Sequence, residues 1–445
     1  VLCVTGQIPS ASIGRGYGQL HEIPDQLSIL QGLTKSAARI DHPTDAPAKV
    51  AEAFRQLRTG RPRPVALEMP LDQLAEACSV DLLDAATDHA RPPVDEDALA
   101  KAAKLLAGAK APMIFVGSGA VDSGEAIQAL AEMLQAPVIA NRTGRGIVSH
   151  RHYLSMMHLE GHRLWADADV VLAIGSRLQP ARMNWGTDDN LKIIHVDIDP
   201  VEIKRIAAPD VALVGDAQDI VPALVDAVGK QAPSRASRED ELVTLQGEVH
   251  KMLLDRLGPQ MSWIKVIREA LDDDGIFVDE LTQVGYVSRV AMPVYQPRKY
   301  LSSAYQGTLG CGLGVAIGAK IANPERQVLS INGDGGFMYN VQELATAAKY
   351  NVNVVAIVFA DGAFGNVRRM QEELYDGRTI ASDLHNPDFV KMAESFGCAA
   401  YRAESPDELA KVLPTAFKQS GPAVIEVPFP KTPDPWPIII PGRNR

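Results

Sequence analysis

Short apolar runs alternate with helix-forming stretches along most of the chain. In the carboxyl-terminal half, the apolar run 327–331 is followed by residues 341–349, which are rich in helix formers, and then by the β-branched run 352–359. Apolar runs of this length and composition are typical of buried strands. A strand–helix–strand unit is almost always right-handed, with its two strands parallel. The pattern therefore predicts a parallel α/β sheet in this region.

The same alternation occurs in two earlier regions of the 445-residue chain. Strands are predicted at 1–5, 65–69, 112–116, 137–140, 170–174, 193–197 (the last strand of its region) and 276–279, and helices at 48–57 and 125–134. The acidic, proline-bearing residues 76–97 and the polar residues 229–238 predict linkers. We therefore expect an α/β fold of three doubly wound parallel-sheet domains, at 1–80, 98–228 and 240–430, followed by a tail at 431–445.

Acidic residues follow two neighbouring predicted strands. Gly333-Asp334-Gly335-Gly336 comes directly after the first strand, and Asp361 comes after the next one, 27 positions beyond Asp334. Because ligands of open α/β sheets collect at the carboxyl ends of the strands, these oxygens predict a site for Mg²⁺ and substrate phosphates. The glycines would let backbone N–H groups approach an anion, and no Gly-Lys-Ser/Thr follows to make a nucleoside-triphosphate loop. A lone Gly-Asp-Gly is also compatible with an ordinary turn.

Composition and charge narrow the class of protein. The net charge of −11 argues against nucleic acid or an anionic membrane as a partner, and no apolar run approaches the roughly 20 residues of a membrane span. No two cysteines have metal-ligand spacing; they are Cys3, Cys78, Cys311 and Cys398. This usage is typical of a reducing compartment, so we expect a cytoplasmic enzyme with a small-molecule substrate.

The sequence around Asp334 resembles that of a known protein family. Residues 333–346 are similar to the cofactor signature of thiamine diphosphate-dependent enzymes, closest to acetolactate synthases and their relatives. These enzymes pair Gly-Asp-Gly with a later Asn-Asn, where this chain has Ala360-Asp361. The resemblance implies that Asp334, Asp361 and the Ala363 carbonyl hold Mg²⁺. It assigns cofactor binding to Thr282, Gln283, Gly307, Thr308, Leu309, Gly333, Asp334, Gly335, Gly336, Asp361, Ala363, Phe364 and Gly365.

Two of these segments have more specific implied roles. Thr282-Gln283 matches a turn that contacts the diphosphate, and the run 307–314 matches the next cofactor loop. By the resemblance, the Gly307 carbonyl accepts the aminopyrimidine N–H, and Leu309 lies between the two cofactor rings. Leu309 thus becomes a catalytic candidate, because the bend brings the amino group to the reactive carbon. Otherwise the glycine-rich run would merely pack a helix onto the sheet.

His21 is the second catalytic candidate. It lies in Leu20-His21-Glu22, where acetolactate synthases tend to carry Phe-Gln-Glu facing the active site. An imidazole there could transfer protons near neutral pH, whereas a lone loop histidine is otherwise solvated surface. The chain opens on a strand-like run without Met, so we expect that the first domain is incomplete at its amino end. The family's activating glutamate would then lie upstream of Val1.

The central region carries weaker signals. Gly117-Ser-Gly119 lacks the third glycine of a dinucleotide fingerprint. The family's central domain binds FAD in acetolactate synthases, but residues 175–182 depart from the acidic-arginine pattern of the flavin-binding branch, so FAD is the less favoured alternative. Four histidines lie close together in sequence and could be interpreted as zinc ligands, although positions on a loop and helix surface explain them better: His150, His152, His158 and His162.

The resemblance implies decarboxylation of a pyruvate-like 2-oxo acid followed by carboligation, because the text near Gln342 and Glu343 is acetolactate synthase-like. Alternatives are another thiamine diphosphate-dependent decarboxylase, lyase or hydrolase, and a cofactor-binding protein that is inactive or regulatory. A homodimer or homotetramer is implied, since subunits of this family share cofactors. The tail 428–436 is too proline-rich for regular structure and would cover the active-site mouth or lie as a surface strap.

Overall fold

The computed structural model describes residues 1–84, 91–303 and 306–445. By internal contacts the chain divides into two units, Val1–Pro93 and Val94–Arg445. Each is considered by itself. Part of the predicted linker, residues 85–90, lies outside the described residues.

The first unit is a three-stranded parallel sheet with helices beside it. Its elements are β1 (Leu2–Gln7), α1 (Gln26–Leu33), β2 (Ser36–Arg39), α2 (Ala46–Arg58), β3 (Val65–Pro70) and α3 (Leu71–Ala75). The strand order is β1-β3-β2, so β3 is central, and Val65 and Leu67 form a small core with Ile40 and Ala53. Predicted strands and the predicted helix are found here within two or three residues of their expected bounds.

The second unit contains two six-stranded parallel sheets, of which the first spans the central region. Its elements are α4 (Glu96–Gly108), β4 (Pro112–Val116), α5 (Gly124–Leu134), β5 (Val138–Ala140), β6 (Ser155–Met156), α6 (His158–Trp165), β7 (Val170–Ile174), β8 (Lys192–Asp197), α7 (Pro200–Lys204), β9 (Val211–Val214) and α8 (Ala217–Gly229). The order is β6-β5-β4-β7-β8-β9. Every residue of β4 and β7 is buried, as expected for strands covered on both faces.

One expectation for this sheet was wrong. The sequence pattern predicts 193–197 as the last strand of the central region, whereas β9 follows and pairs in parallel with β8. An edge strand of four residues, with one face only partly buried, leaves too short an apolar pattern to stand out.

The second sheet carries the predicted metal site. Its elements are α9 (Glu239–Ala270), β10 (Ile276–Asp279), α10 (Gln283–Ala291), β11 (Tyr300–Ser302), α11 (Cys311–Ala322), β12 (Val328–Gly333), α12 (Asp334–Tyr339), α13 (Glu343–Lys349), β13 (Val355–Ala360), α14 (Gly365–Leu374), α15 (Phe389–Ser395), β14 (Ala399–Arg402), α16 (Pro406–Ala416), β15 (Ala423–Pro428) and α17 (Trp436–Ile439). The order is β11-β10-β12-β13-β15-β14. All three sheets are parallel and flanked by helices, which confirms the predicted fold class.

The register of this sheet sets the position of the site. β12 and β13 pair in parallel, with Gly333 opposite Phe359, so both strands end at the same edge. Successive residues of β12 point to opposite faces: Leu329 belongs to one apolar cluster and Val328 to the other. The sheet is thus buried on both faces, and its carboxyl edge is the place where polar side chains gather.

The tail is more regular than expected at its far end. Residues 429–435 have no regular structure, as predicted, but α17 begins at Trp436. The Asp434 carboxylate accepts from the Trp436 N–H at 3.2 Å, and Pro437 suits a first helical turn, where no intrahelical partner for its nitrogen is needed. In the described part of the chain, no helix is long and apolar enough to cross a membrane.

Candidate active site

Asp334 lies at the centre of the carboxyl edge of the second sheet. It is 2% exposed and begins α12 directly after β12. Its Oδ1 accepts from the Gly335 N–H at 2.8 Å. Its Oδ2 accepts from the Gly362 N–H and from Asn386 Nδ2, both at 2.7 Å. One carboxylate therefore joins the loop after β12 to the loop after β13.

Asp361 places a second carboxylate beside the first. Loss of solvent around its carboxyl group and the neighbouring Asp334 carboxylate raise the pKa of Asp361 to about 6, although the residue as a whole is exposed. The Ala363 N–H donates to its Oδ1 at 3.3 Å. A Cβ at Gly365 would lie 2.5 Å from its Oδ2, so a larger residue there would require the Asp361 carboxylate to move. Two carboxylates that repel one another are an arrangement that a divalent cation stabilises.

The donor set suits Mg²⁺ better than zinc. Within the described ranges, no group of three or more His, Cys, Asp or Glu side chains could hold a metal ion. Two carboxylates can still bind a hard cation that takes its remaining ligands from backbone carbonyls, water and phosphate oxygens. The backbone carbonyl expected from the sequence is that of Ala363, which is 7% exposed and lies in the same loop as Asp361.

The loop 361–365 is supported by a segment that the sequence reasoning missed. The Phe364 N–H donates to the Ser382 carbonyl, and the Leu384 N–H donates to the Gly362 carbonyl, both at 2.8 Å. Two residues further on, Asn386 reaches Asp334. The only signal in the sequence is Asn386-Pro387, a pair that marks a turn but does not show where the Asn side chain points.

The glycines after Asp334 are needed for internal contacts as well as for access of a ligand. A Cβ at Gly335 would clash with the Phe364 ring, and one at Gly336 would clash with the Glu280 carboxylate. Gly333 is different, because a Cβ there would meet nothing closer than 3.6 Å. The proposed anion approach therefore suits Gly333, whereas Gly335 and Gly336 also make room for neighbouring side chains.

The Thr282-Gln283 turn lies at the start of α10. Thr282 Oγ1 accepts from the Gly285 N–H at 2.8 Å, so this side chain caps the helix. The buried Oε1 of Gln283 has no hydrogen-bond partner in the described part of the chain. Gln283 is the first residue of this nine-residue helix, so its backbone lies at the positive end of the helix dipole.

The glycine-rich loop precedes α11. Gly307 has φ +61° and is exposed together with Thr308, whereas Leu309 is half-buried. Gly310 has φ +80° and is buried. The loop is fastened by a residue that the sequence analysis did not single out, Glu280, which follows β10. Its two carboxylate oxygens accept from the backbone N–H groups of Gly310 and Gly312.

His21 belongs to the first unit. It is exposed and has φ +70°, which is uncommon for a residue other than glycine. The loop that presents it is closed by Glu22, which accepts from the Gly16 N–H at 3.0 Å and from the Gln19 N–H at 2.9 Å. The other predicted site residues belong to the second unit, where they lie at one sheet edge.

The glycine pair of the central region has a local explanation. A Cβ at Gly117 would clash with the Gly175 carbonyl oxygen, and one at Gly119 would lie 2.8 Å from the Gly175 Cα. Here the glycines allow two loops at the carboxyl ends of β4 and β7 to touch. Their presence therefore requires no bound nucleotide.

Two of the four histidines of this region, His150 and His152, lie in a loop, and His158 and His162 lie on α6; all four are half-buried. His158 and His162 pack against the Trp185 ring at centroid distances of 4.8 and 5.3 Å. Burial lowers the pKa of His158, like that of His150, to about 4. His152 bonds to Glu132 at 3.0 Å.

The tail packs against the helices that begin at the candidate site. The Trp436 ring lies 4.7 Å from that of Tyr286 on α10, and its Nε1 donates to Asn366 Oδ1 at 2.7 Å. Asp434 pairs with Arg369 at 3.3 Å. Asn366 and Arg369 are on α14, so the tail contacts both α10 and α14.

Comparison with known proteins identifies the family. Residues 99–224 match the central domain of thiamine pyrophosphate enzymes, and residues 282–427 match their C-terminal TPP binding domain. A probable 2-ketoarginine decarboxylase of Pseudomonas aeruginosa is 33% identical over 96% of this chain and 78% of its own length. The large subunit of acetolactate synthase isozyme 1 of Escherichia coli is 30% identical (99% and 80%), and a probable acetolactate synthase large subunit of Methanocaldococcus jannaschii is 32% identical (99% and 78%). This chain is a thiamine pyrophosphate-dependent enzyme of the carboligase and decarboxylase type, related to the acetolactate synthases.

Proposed function

We propose that this enzyme decarboxylates a 2-oxo acid such as pyruvate and joins the product to a second carbonyl compound, as an acetolactate synthase does. The observation that carries the proposal is that the Asp334 carboxylate accepts hydrogen bonds from the loops after both β12 and β13, with Asp361 beside it. Two relatives named as acetolactate synthases align over 99% of this chain, which supports the carboligase reading.

The residues of the second unit have separable roles in this proposal. Asp334, Asp361 and the Ala363 carbonyl would hold Mg²⁺, which anchors the diphosphate of the cofactor. Thr282 and Gln283 would bind the diphosphate at the start of α10, where the helix dipole favours negative charge. When bound, thiamine diphosphate supplies the carbanion and the electron sink that decarboxylation of a 2-oxo acid requires.

Leu309 and His21 would act at the end of the cofactor where the substrate reacts. The half-buried Leu309 side chain would hold the cofactor in its bent shape. Because this side chain is apolar, it would also help to exclude water from the reacting atoms. The exposed imidazole of His21 would move a proton to or from the substrate oxygen near neutral pH.

Product analysis tests the proposal. The full-length protein is incubated with thiamine diphosphate, Mg²⁺ and pyruvate, and the products are separated by chromatography. Acetolactate is the expected product. Consumption of pyruvate without any carboligation product would contradict the carboligase step, and failure to bind the cofactor would contradict the site. The visible absorbance of the purified protein tests the flavin alternative.

The second candidate is a decarboxylase whose product is released after protonation. It is favoured by the 33% identity to the protein named as a probable 2-ketoarginine decarboxylase. 2-Ketoarginine should therefore be tested beside pyruvate. Faster turnover of 2-ketoarginine, with an aldehyde as the product, would establish this candidate in place of the first.

We also propose that the enzyme is a homodimer or homotetramer. Three apolar side chains of α11 and α12 are exposed: Val315 is 37% exposed, Ile321 63% and Tyr339 57%. Exposed apolar side chains are typical of interaction surfaces where they form a contiguous patch. Light scattering on the eluting protein measures its mass, and a monomer at micromolar concentration would contradict the proposal.

A further inference from the structure

Glu280 occupies an unusual position for an acidic residue. It is 1% exposed and follows the last residue of β10. Its Oε1 accepts from the Gly310 N–H at 2.6 Å, and its Oε2 accepts from the Gly312 N–H at 2.9 Å. Each carboxyl oxygen of Glu280 thus accepts one short hydrogen bond from a backbone N–H; burial raises the pKa of this group, and the two bonds oppose that shift. The glycine-rich loop is therefore tied to the end of β10.

The space around this carboxylate is made by glycines. A Cβ at Gly312 would lie 2.6 Å from Oε2, and a Cβ at Gly336 would clash with Oε1. Gly336 is in the first turn of α12, two residues after Asp334. Glu280 thus contacts three segments to which cofactor binding is assigned. Its backbone carbonyl accepts from the Thr282 N–H at 2.9 Å, and its carboxylate bonds to the loop at 307–312 and lies against the first turn of α12.

The same turn is held from its other side. Asn340, which follows α12, donates its Nδ2 to the Gly310 carbonyl at 2.7 Å. Both backbone groups of Gly310, its N–H and its carbonyl, are therefore bonded to side chains from other elements. Gly310 has φ +80°, a left-handed backbone conformation that glycine adopts more readily than other residues. Leu309 is the residue directly before it.

From this geometry we infer that Glu280 is a positioning residue that fixes the main chain at Gly310 and so sets where the Leu309 side chain lies. It does not contact the reacting atoms. The inference rests on the proposed function, because Leu309 has its role only if the cofactor binds here. A displacement of about 1 Å of such a group can lower a rate a hundredfold, which makes a fixed loop valuable to the enzyme.

The first test uses the cofactor-free protein. Glu280→Gln keeps the shape of the side chain, but its NH₂ group would face one backbone N–H, so only one of the two bonds remains. Hydrogen exchange followed by mass spectrometry should show the amides of Gly310 and Gly312 exchanging at least tenfold faster, with β12 and β13 unchanged. Unchanged exchange at Gly310 and Gly312 would overturn the inference. Glu160→Gln, in the buried face of α6, is the matched control and should leave this loop as it is.

The second test separates positioning from cofactor binding. Because the groups that hold Mg²⁺ and the diphosphate remain, Glu280→Gln should change the Kd of thiamine diphosphate less than threefold and lower kcat at least tenfold. In a Leu309→Gly background the same substitution should lower kcat less than threefold, since the side chain that it positions is gone. Equal losses in the two backgrounds would overturn the inference.

Two further outcomes keep the tests decisive. If Glu280→Gln does not fold, Asn340→Ala loosens the same turn from the carbonyl side, and it should give the same exchange pattern at Gly310 and Gly312; no change would overturn the inference. If the wild-type protein binds no thiamine diphosphate, the proposed function fails, and the exchange data still decide whether Glu280 holds the loop.

Discussion

Asn386 donates its side-chain Nδ2 to Oδ2 of Asp334 at 2.7 Å, across 52 positions of sequence. The same oxygen accepts from the Gly362 N–H, so its direction is fixed by two donors. Groups that orient a metal ligand in this way commonly have a large effect on metal affinity, although they do not touch the metal. Asn386 therefore matters to the candidate metal site without being a ligand.

Asn386→Ala should weaken Mg²⁺-dependent cofactor binding by roughly 10- to 100-fold, because Asp334 loses one of the groups that orient it. The measurement is a Mg²⁺ titration at fixed thiamine diphosphate, followed by protein fluorescence. Asn323→Ala is the control, since the Asn323 side chain bonds to the Ala319 carbonyl at the end of α11 and to the Arg326 guanidinium, and to no residue of the candidate site in the described part of the chain. An Asn386 variant with wild-type Mg²⁺ affinity would mean that Gly362 alone orients the carboxylate.

Asp334→Ala should abolish retention of the cofactor, because the metal loses a charged ligand and the loop after β13 loses its bond to Asp334. Equilibrium dialysis with thiamine diphosphate and Mg²⁺ measures the loss, which should exceed a hundredfold. Asp361→Asn is the informative comparison, since it keeps an oxygen ligand and should bind the cofactor more tightly than Asp361→Ala. Unchanged affinity in Asp334→Ala would refute the site.

The sequence was informative about the carboxyl edge of the sheet for a physical reason. Asp334 and Asp361 each follow a buried strand, so parallel pairing of the two strands is enough to place the two residues near each other. Glu280 also follows a strand, but its partners are backbone N–H groups 30 and 32 residues away, and backbone groups have no signature in sequence.

Other features of the fold could not be predicted from the sequence, for related reasons. Asn386 lies in an irregular segment whose path is set by contacts with the loop 361–365. The edge strands β6 and β9 are too short to produce a period, at two and four residues. What could be predicted was long, buried and locally patterned, and what was missed depends on chain segments that meet only in the folded protein.

Leu309→Gly should leave the fold intact and lower kcat at least tenfold, since the apolar side chain proposed to lie between the cofactor rings is lost. The half-buried side chain adds little to the core, so the melting temperature should change by only a few degrees. Steady-state kinetics and thermal unfolding together check this. Leu309→Met, which keeps an apolar side chain of similar volume, should restore most of the rate. Normal rates in the glycine variant would count against the assignment.

His21→Ala should lower kcat by roughly 10²- to 10⁴-fold if the imidazole transfers a proton. The Kd of the cofactor should not change, since the residues proposed to hold the diphosphate and Mg²⁺ belong to the second unit. His42→Ala is a suitable control, because His42 is also an exposed histidine of the first unit. A His21 variant with full activity would show that this residue is solvated surface.

Glu160 gives a prediction for stability against pH that does not depend on the cofactor. Burial raises the pKa of this carboxyl group from 4.5 to about 7, against the attraction of Arg163 and Arg145, and its Oε2 has no partner within the described ranges. Below pH 4.5 both the folded and the unfolded states hold the proton. Between pH 4.5 and 7 only the unfolded state releases it, so the free energy of unfolding falls as the pH rises.

Glu160→Gln cannot ionise and should therefore be more stable than the wild-type enzyme at pH 8 and similar to it at pH 4.5. The shift in pKa sets an upper limit of roughly 3 kcal/mol for the difference at pH 8. Urea unfolding at a series of pH values measures it, and the comparison at each pH cancels the contributions of His150 and His158, which both proteins share. Glu125→Gln, at an exposed position, should show no such trend. A constant difference across this pH range would mean that Glu160 ionises in the folded protein as readily as in the unfolded chain.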